Sequence, residues 1–209
     1  MKAIILAGGA SSRFGSPKAF AEIHEEYFFK KIYHTLESTN MFSEIIISTN
    51  EALASEFDGY QVVIDDAKHK NKGPLSGLYS VMKETEGDFY FVISVDTPMV
   101  TDKAISQLYQ FLIANLIEEQ LLVAGYQSDE RPIPTIAFYH KNILPSIETA
   151  LNSNDFSMRH VYQSVSNIWL DVNKVASPAY WYKNINFKED LSALEKELNQ
   201  SYKGRRKDD

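Results

Sequence analysis

The chain has 209 residues, 44% hydrophobic and 23% charged, ordinary values for one globular domain long enough to bury a substantial core. It contains no cysteine, which excludes disulfides, Cys-ligated zinc, iron–sulfur clusters and thiol catalysis. The formal net charge of −7 argues against nonspecific nucleic-acid binding by a basic surface, yet a small anionic ligand needs only a few local cations and aimed backbone N–H groups.

No run of about 18 apolar residues occurs, and Met1 and Lys2 lead straight into a strand-like segment, so the expectation is a cytoplasmic protein without a membrane span. His24, His34, His69, His140 and His160 show no metal-ligand spacing.

Apolar runs of strand length alternate with longer segments of helical period, which predicts βαβ units and a mainly parallel, doubly wound α/β sheet. Residues 2–7 (KAIILA) form a first strand buried on both faces, followed by a glycine-rich loop over residues 8–17. Phe28, Phe29, Ile32, Tyr33 and Leu36 recur at helical spacing, and residues 44–49 (EIIIST) and 61–64 (QVVI) read as the second and third strands. Gly73 and Pro74 open a helix whose face carries Leu75, Leu78, Tyr79 and Met82, with proline in the first turn, where its missing N–H is harmless. Residues 89–95 (FYFVISV) are the most strand-like run, ending at Asp96. A helix over about 102–114, strands over 121–126 and 135–139, helices near 143–151 and 158–165, a short strand near 168–172, an aromatic loop and a last helix over about 189–198 complete a single domain of residues 1–200. Residues 201–209 end in a charge run (KGRRKDD over 203–209) without apolar content, expected to be a frayed tail.

Chemistry concentrates after the first strand, where Leu6, Ala7, Gly8 and Gly9 precede Ser11, Arg13, Gly15 and Lys18. In a doubly wound sheet ligands bind beyond the carboxyl ends of the strands, and a glycine pair there lets backbone N–H groups approach phosphate oxygens. The loop has neither the Walker A spacing nor a Gly-x-Gly-x-x-Gly fingerprint, which removes most support for a P-loop or hydride-transfer reading. An apolar strand ending in a lone carboxylate, as at Asp96, suits magnesium, which takes one or two protein carboxylates and fills its remaining positions with phosphate and water.

This pattern resembles the LAGGxSxRxGxxK signature of the molybdenum cofactor guanylyltransferases, within the GT-A-like nucleotidyltransferases. The resemblance continues through Asp65 and Asp66, then Gly73, Pro74, Leu75, Ser76 and Gly77 (the GPLxG segment), then Asp96, Thr97 and Pro98 (xxDxP), and last Asn184, Ile185 and Asn186 ahead of Asp190 and Leu191. It spans roughly residues 1–195. Ser16-Pro17 and Ile133-Pro134-Thr135 depart from the usual pattern, which touches acceptor contacts more than nucleotide binding.

The resemblance implies transfer of GMP from GTP to the phosphate of molybdopterin with release of pyrophosphate. Leu6, Ala7, Gly8, Gly9 and Lys18 would bind the nucleotide, Arg13 and Lys18 would grip the triphosphate, and Asp96 would hold magnesium. Asp65 would contact base or ribose, since guanine N1–H and the 2-amino group are adjacent donors that one carboxylate accepts together. Asn184 and Asn186 are candidates near the metal or acceptor, and Arg131 and Arg159 are candidate grips on the acceptor phosphate. Tyr180, Trp181 and Tyr182 could stack a pterin, although packing is the more ordinary role of such a cluster. Cofactor insertion proteins and molybdoenzymes are the implied partners. Two alternatives stay open: a cytidylyl- or sugar-nucleotide transferase with the same loop, and a non-catalytic nucleotide-binding protein.

Overall fold

The computed structural model describes residues 1–9, 14–70 and 72–205. Its elements are β1 (Lys2–Leu6), β2 (Glu22–Ile23), β3 (Glu26–Tyr27), α1 (Phe28–Ser38), β4 (Glu44–Thr49), β5 (Gln61–Ile64), α2 (Pro74–Glu84), β6 (Phe89–Ser94), α3 (Asp102–Glu119), β7 (Val123–Ser128), β8 (Arg131–His140), α4 (Leu144–Leu151), α5 (Met158–Gln163), β9 (Asn167–Asp171) and α6 (Lys188–Arg205).

Seven strands form one sheet in the order β5-β4-β1-β6-β8-β7-β9. Only β8 runs against the rest: it is antiparallel to β6 and β7, whereas the pairs β1–β4, β1–β6, β4–β5 and β7–β9 are parallel. Because side chains alternate along a strand, each buried strand feeds two cores. Ala3, Ile5, Ile47, Phe91, Ile93 and Phe138 pack on one face beneath α1, α3 and α6. Ile4, Leu6, Ile46, Tyr90, Val92 and Tyr139 pack on the other beneath α2, α4 and α5. The result is the three-layer, doubly wound α/β fold that the alternating pattern predicts.

Two hairpins depart from the sequence expectation. The β2–β3 ribbon turns through His24 and Glu25 at φ 51° and 66°, and the β7–β8 turn uses Asp129 and Glu130 at φ 48° and 60°. Both place two non-glycine residues in the left-handed region, without the Asn-Gly or Asp-Gly signal that normally marks such turns. Strand β8 is longer than expected, beginning at Arg131 and passing through Pro132 and Pro134. Proline demotes a strand reading because it donates nothing to the ladder; here the register between β7 and β8 shifts at Gly125 and Tyr126. Helix α6 reaches Arg205, beyond the expected end near residue 198, and residues 206–209 of the expected tail lie outside the described residues. Its Leu194 and Leu198 are buried in the α1–α3 core.

The sheet order locates the ligand crevice. From β1 the chain moves outward to β4 and β5, then returns to place β6 on the other side of β1. That reversal is the topological switch point, and in open α/β sheets ligands bind there, at the carboxyl ends of the strands.

Candidate active site

Strands β1 and β6 end side by side, with Leu6 opposite Ser94. Pairing continues slightly beyond them: Val95 N–H donates to the Leu6 carbonyl at 3.0 Å and Ala7 N–H to the Ser48 carbonyl at 2.7 Å. The glycine loop therefore leaves β1, and Asp96 leaves β6, from adjacent points on the same edge. Gly8 is wedged against the end of β4, where a Cβ would lie 3.2 Å from Thr49 Cα and Asn50 N. Its carbonyl accepts from Asn50 Nδ2 at 2.9 Å, while Asn50 Oδ1 accepts from Leu53 N–H at 3.2 Å. Asn50 thus pins the loop to the β4 end. Sequence reading missed it because an asparagine after a strand is an ordinary turn residue, and its role appears only once β4 lies beside β1.

Lys18 opens a short 3₁₀ turn, Lys18–Phe20, after the loop. Its ammonium donates to Asp96 Oδ2 at 3.1 Å and to Asn186 Oδ1 at 2.9 Å, joining residues separated by 78 and 168 positions. The Lys18 and Asp96 side chains are only 12% and 16% exposed, so the pair is poorly screened by water. Asp96 Oδ1 is buried and has no hydrogen-bond partner among the described residues. An unsatisfied buried carboxylate oxygen is costly, about 1–3 kcal/mol or more for a charged group, so a cation is the natural complement. One carboxylate with an unused oxygen, beside a loop suited to phosphate, fits a hard divalent ion that draws its other ligands from triphosphate and water. No cluster of three His, Asp or Glu side chains able to hold a metal by itself occurs among the described residues.

The segment after the aromatic loop completes the cluster. Ile185 N–H donates to the Asp96 carbonyl at 2.7 Å, and Asn184 Oδ1 accepts from the Thr97 hydroxyl at 3.0 Å. Asp190, in the first turn of α6, accepts from Asn186 N–H and Phe187 N–H at 2.9 and 2.8 Å. That carboxylate reaches back to orphan N–H groups as the acidic member of a capping box does, and so fixes Asn186 against Lys18. Thr97 was not singled out for this role by sequence, since its partner Asn184 is distant in the chain, whereas Asp190 bonds neighbours only three and four residues back, inside the Asn184–Leu191 segment.

Asp65 sits just past β5, its N–H bonded to the Thr49 carbonyl at 3.0 Å and its Oδ1 accepting from the Ser48 hydroxyl at 3.3 Å. Burial pushes its carboxyl above the ordinary aspartate range, against the opposing pull of the Ser48 hydrogen bond. Asp66 faces away, 3.6 Å from Lys83 Nζ. The GPLxG segment is tied below: Ser76 Oγ donates to the His69 carbonyl at 2.7 Å, and the Ser76 carbonyl accepts from Ser80 Oγ at 2.8 Å, which in turn accepts from Asp66 N–H at 2.7 Å.

Other candidates fare differently. Arg13 lies outside the described residues. Arg131 is exposed at the β7–β8 turn; because β8 is antiparallel, its first residues extend past the carboxyl end of β6, at the same sheet edge as Asp96. Arg159 is exposed on α5 and lines an open groove with Asp155, His160, Gln163 and Ser164, none of them a candidate site residue. Trp181 is 1% exposed and packs edge-on against Tyr126 and Tyr182 at centroid distances of 4.8 and 5.3 Å. It is a core residue and offers no open face to a pterin.

A doubly wound sheet with a lysine–aspartate pair and a glycine loop at its switch point is the architecture of a nucleotidyltransferase, an enzyme acting on nucleoside triphosphates. The sequence profile of the MobA-like NTP transferase domain matches residues 3–168, and the chain belongs to that family. Asn184 and Asn186 lie beyond the matched span. Among solved structures, the chain is similar to molybdopterin-guanine dinucleotide biosynthesis protein A from Archaeoglobus fulgidus, at 19% identity and TM-score 0.77, covering 96% of this chain and 100% of that one. A nucleotidyl transferase from Methanothermobacter thermautotroptrophicus shares the fold at 14% identity and TM-score 0.69, covering 96% and 98%. The bifunctional IspDF from Campylobacter jejuni does so at 17% identity and TM-score 0.64, covering 92% of this chain and 53% of that one.

Proposed function

We propose that this enzyme transfers GMP from GTP to the terminal phosphate of molybdopterin, in its molybdenum-bearing form, releasing pyrophosphate and yielding the guanine dinucleotide form of the cofactor. The observation that carries the reading is the meeting of Lys18, Asp96 and Asn186 at the switch point, beside the loop of Leu6, Ala7, Gly8 and Gly9. The reaction belongs in the cytoplasm, with cofactor insertion proteins and molybdoenzymes downstream.

The acceptor makes the chemistry economical in residues. A phosphate monoester has a second pKa of about 6, so the nucleophile is largely ionised at neutral pH and no general base is required. What remains is to hold two anions in line and to offset their repulsion. In this reading the loop amides and Lys18, with Arg13, hold the triphosphate so that the α-phosphorus faces the acceptor. Magnesium bound at Asp96 supplies further neutralisation of the triphosphate charge. Asp65, held by Ser48, accepts hydrogen bonds from the guanine edge or the ribose, and Asn184 and Asn186 border the metal and acceptor side. In the same reading Arg131, whose strand begins past the carboxyl end of β6, would meet an acceptor phosphate.

Asp96→Ala is expected to lower magnesium-dependent turnover by several orders of magnitude, measured as pyrophosphate release from GTP and Mo-molybdopterin; near-normal turnover would refute the assignment. Base selectivity is tested by thermal shift with GTP, CTP and UTP in the presence of magnesium. A ligand at 100 times its dissociation constant stabilises by about 2.7 kcal/mol, a melting shift of roughly 5–10 °C for a chain of this size. GTP is expected to give the largest shift, and a larger shift with CTP or UTP would overturn the guanine preference.

A further inference from the structure

Asp96 is the carboxylate assigned above to a divalent ion, yet one of its oxygens already has a cation on it. Lys18 Nζ lies 3.1 Å from Oδ2, and its second bond, 2.9 Å to Asn186 Oδ1, holds the ammonium there. Three separate segments build the contact. The 3₁₀ turn fixes the Lys18 backbone through Ala21 N–H to the Lys18 carbonyl at 3.1 Å, Ile185 N–H holds the Asp96 carbonyl, and Asp190 holds the Asn186 backbone. A long surface side chain in chance contact would not be anchored in this way, nor left only 12% exposed.

A single carboxylate carries one negative charge, and the ammonium offsets it. A divalent ion arriving at buried Oδ1 would meet that ammonium across the same carboxyl group, with little water to screen the repulsion. A triphosphate changes the balance, because it brings several negative charges and offers partners to both cations at once. We propose that Lys18 is a tethered competitor for the Asp96 carboxylate, so that the divalent ion enters only together with the triphosphate and binds poorly to the protein alone. The proposal rests on the reading that Asp96 takes the metal, and it adds an order of loading that the reading does not contain. Coupling of this kind is reciprocal: whatever the triphosphate does for metal affinity, the metal does for triphosphate affinity.

The sign of one substitution separates competition from positioning. If Lys18 competes, removing its charge strengthens metal binding to the nucleotide-free protein; if it merely orients Asp96, removing it weakens binding. The experiment is a titration of the full chain with Mn²⁺ alone, read by the loss of the free-ion electron paramagnetic resonance signal. Wild type, the near-isosteric Lys18→Met, the polar Lys18→Gln and the double variant Lys18→Met/Asp96→Asn are compared. Both Lys18 variants are expected to bind Mn²⁺ about tenfold more tightly than wild type, or better, and the double variant to lose that gain. Asn186→Ala, which keeps the lysine charge but removes one anchor, is expected to give a smaller gain, and it reads the same competition if a Lys18 variant folds poorly. Unchanged or weaker Mn²⁺ binding in the variants overturns the competition. A gain that survives Asp96→Asn overturns it as well, by placing the ion elsewhere. The metal assignment itself is read separately: if the single Asp96→Asn change leaves Mn²⁺ affinity unaltered with GTP present, that assignment fails whatever Lys18 does.

Discussion

Asp65 shows how a residue can be kept at a cost to the fold. Its carboxyl is pushed above the ordinary range by burial, so the folded chain binds a proton there more readily than the unfolded chain. Unfolding then releases protons, and this group's contribution to stability declines as pH rises from about 4, the ordinary aspartate value, through the raised native value. Asp65→Asn should remove that slope and melt at a higher temperature at pH 7, while weakening nucleotide binding. Melting curves of both proteins between pH 4 and 8 check the claim; parallel curves would contradict it.

At this scale the sequence was legible where a single residue type and its neighbours in the chain carried the meaning. Lys18, Asp96 and the two glycines stand in a short, ordered pattern, and the structure brings Lys18 and Asp96 into contact. Asn50 and Ser48 were not legible as parts of the site, because each acts through a partner that only the sheet order supplies; Thr97 and Asp190 stood in the motifs, but the bond of Thr97 to Asn184 appears only once residues 184–186 dock against the end of β6. Trp181 could be read two ways from sequence, and its burial against Tyr126 decides for packing.

Among the elements, the parallel strands were the clearest, since a strand buried on both faces is a near-continuous apolar run and β1, β4 and β6 each have one. The hairpins were hidden for a backbone reason: His24-Glu25 and Asp129-Glu130 adopt positive φ without glycine. Strand β8 was half hidden, because Pro132 and Pro134 interrupt its strand-like character. The irregularity at Gly125 is a packing requirement as well. A Cβ there would fall 2.4 Å from a Trp169 ring carbon and 2.8 Å from Ala137 Cβ, across β9 and β8. Gly125→Ala is expected to destabilise by about 1–3 kcal/mol, through overpacking against a ring held by its Nε1–H bond to Asn167 Oδ1 at 2.6 Å and by edge-on contact with Tyr162. Chemical denaturation measures this directly, and a change below about 0.5 kcal/mol, the range of an ordinary surface substitution, would contradict the packing argument.

For the whole molecule, the winding of the chain about β1 is what turns a list of motifs into a site. Helices α1 and α2 cover opposite faces, the chain reverses between β5 and β6, and the carboxyl ends of β1 and β6 open side by side. Residues 184–190, beyond the matched span of the family profile, return to that opening and hold Asp96 and Lys18 from the far side. The fold class followed from periodicity, but the strand order did not, and it is the order that explains why residues 18, 96 and 186 meet. The measurement that bears most directly on this account is pyrophosphate release by the purified enzyme given Mo-molybdopterin, magnesium and each nucleoside triphosphate in turn, for wild type and for Asp96→Ala. Turnover with GTP in preference to the other triphosphates, lost in the variant, is the predicted result. Turnover that prefers another triphosphate, or that survives without the Asp96 carboxylate, would contradict it.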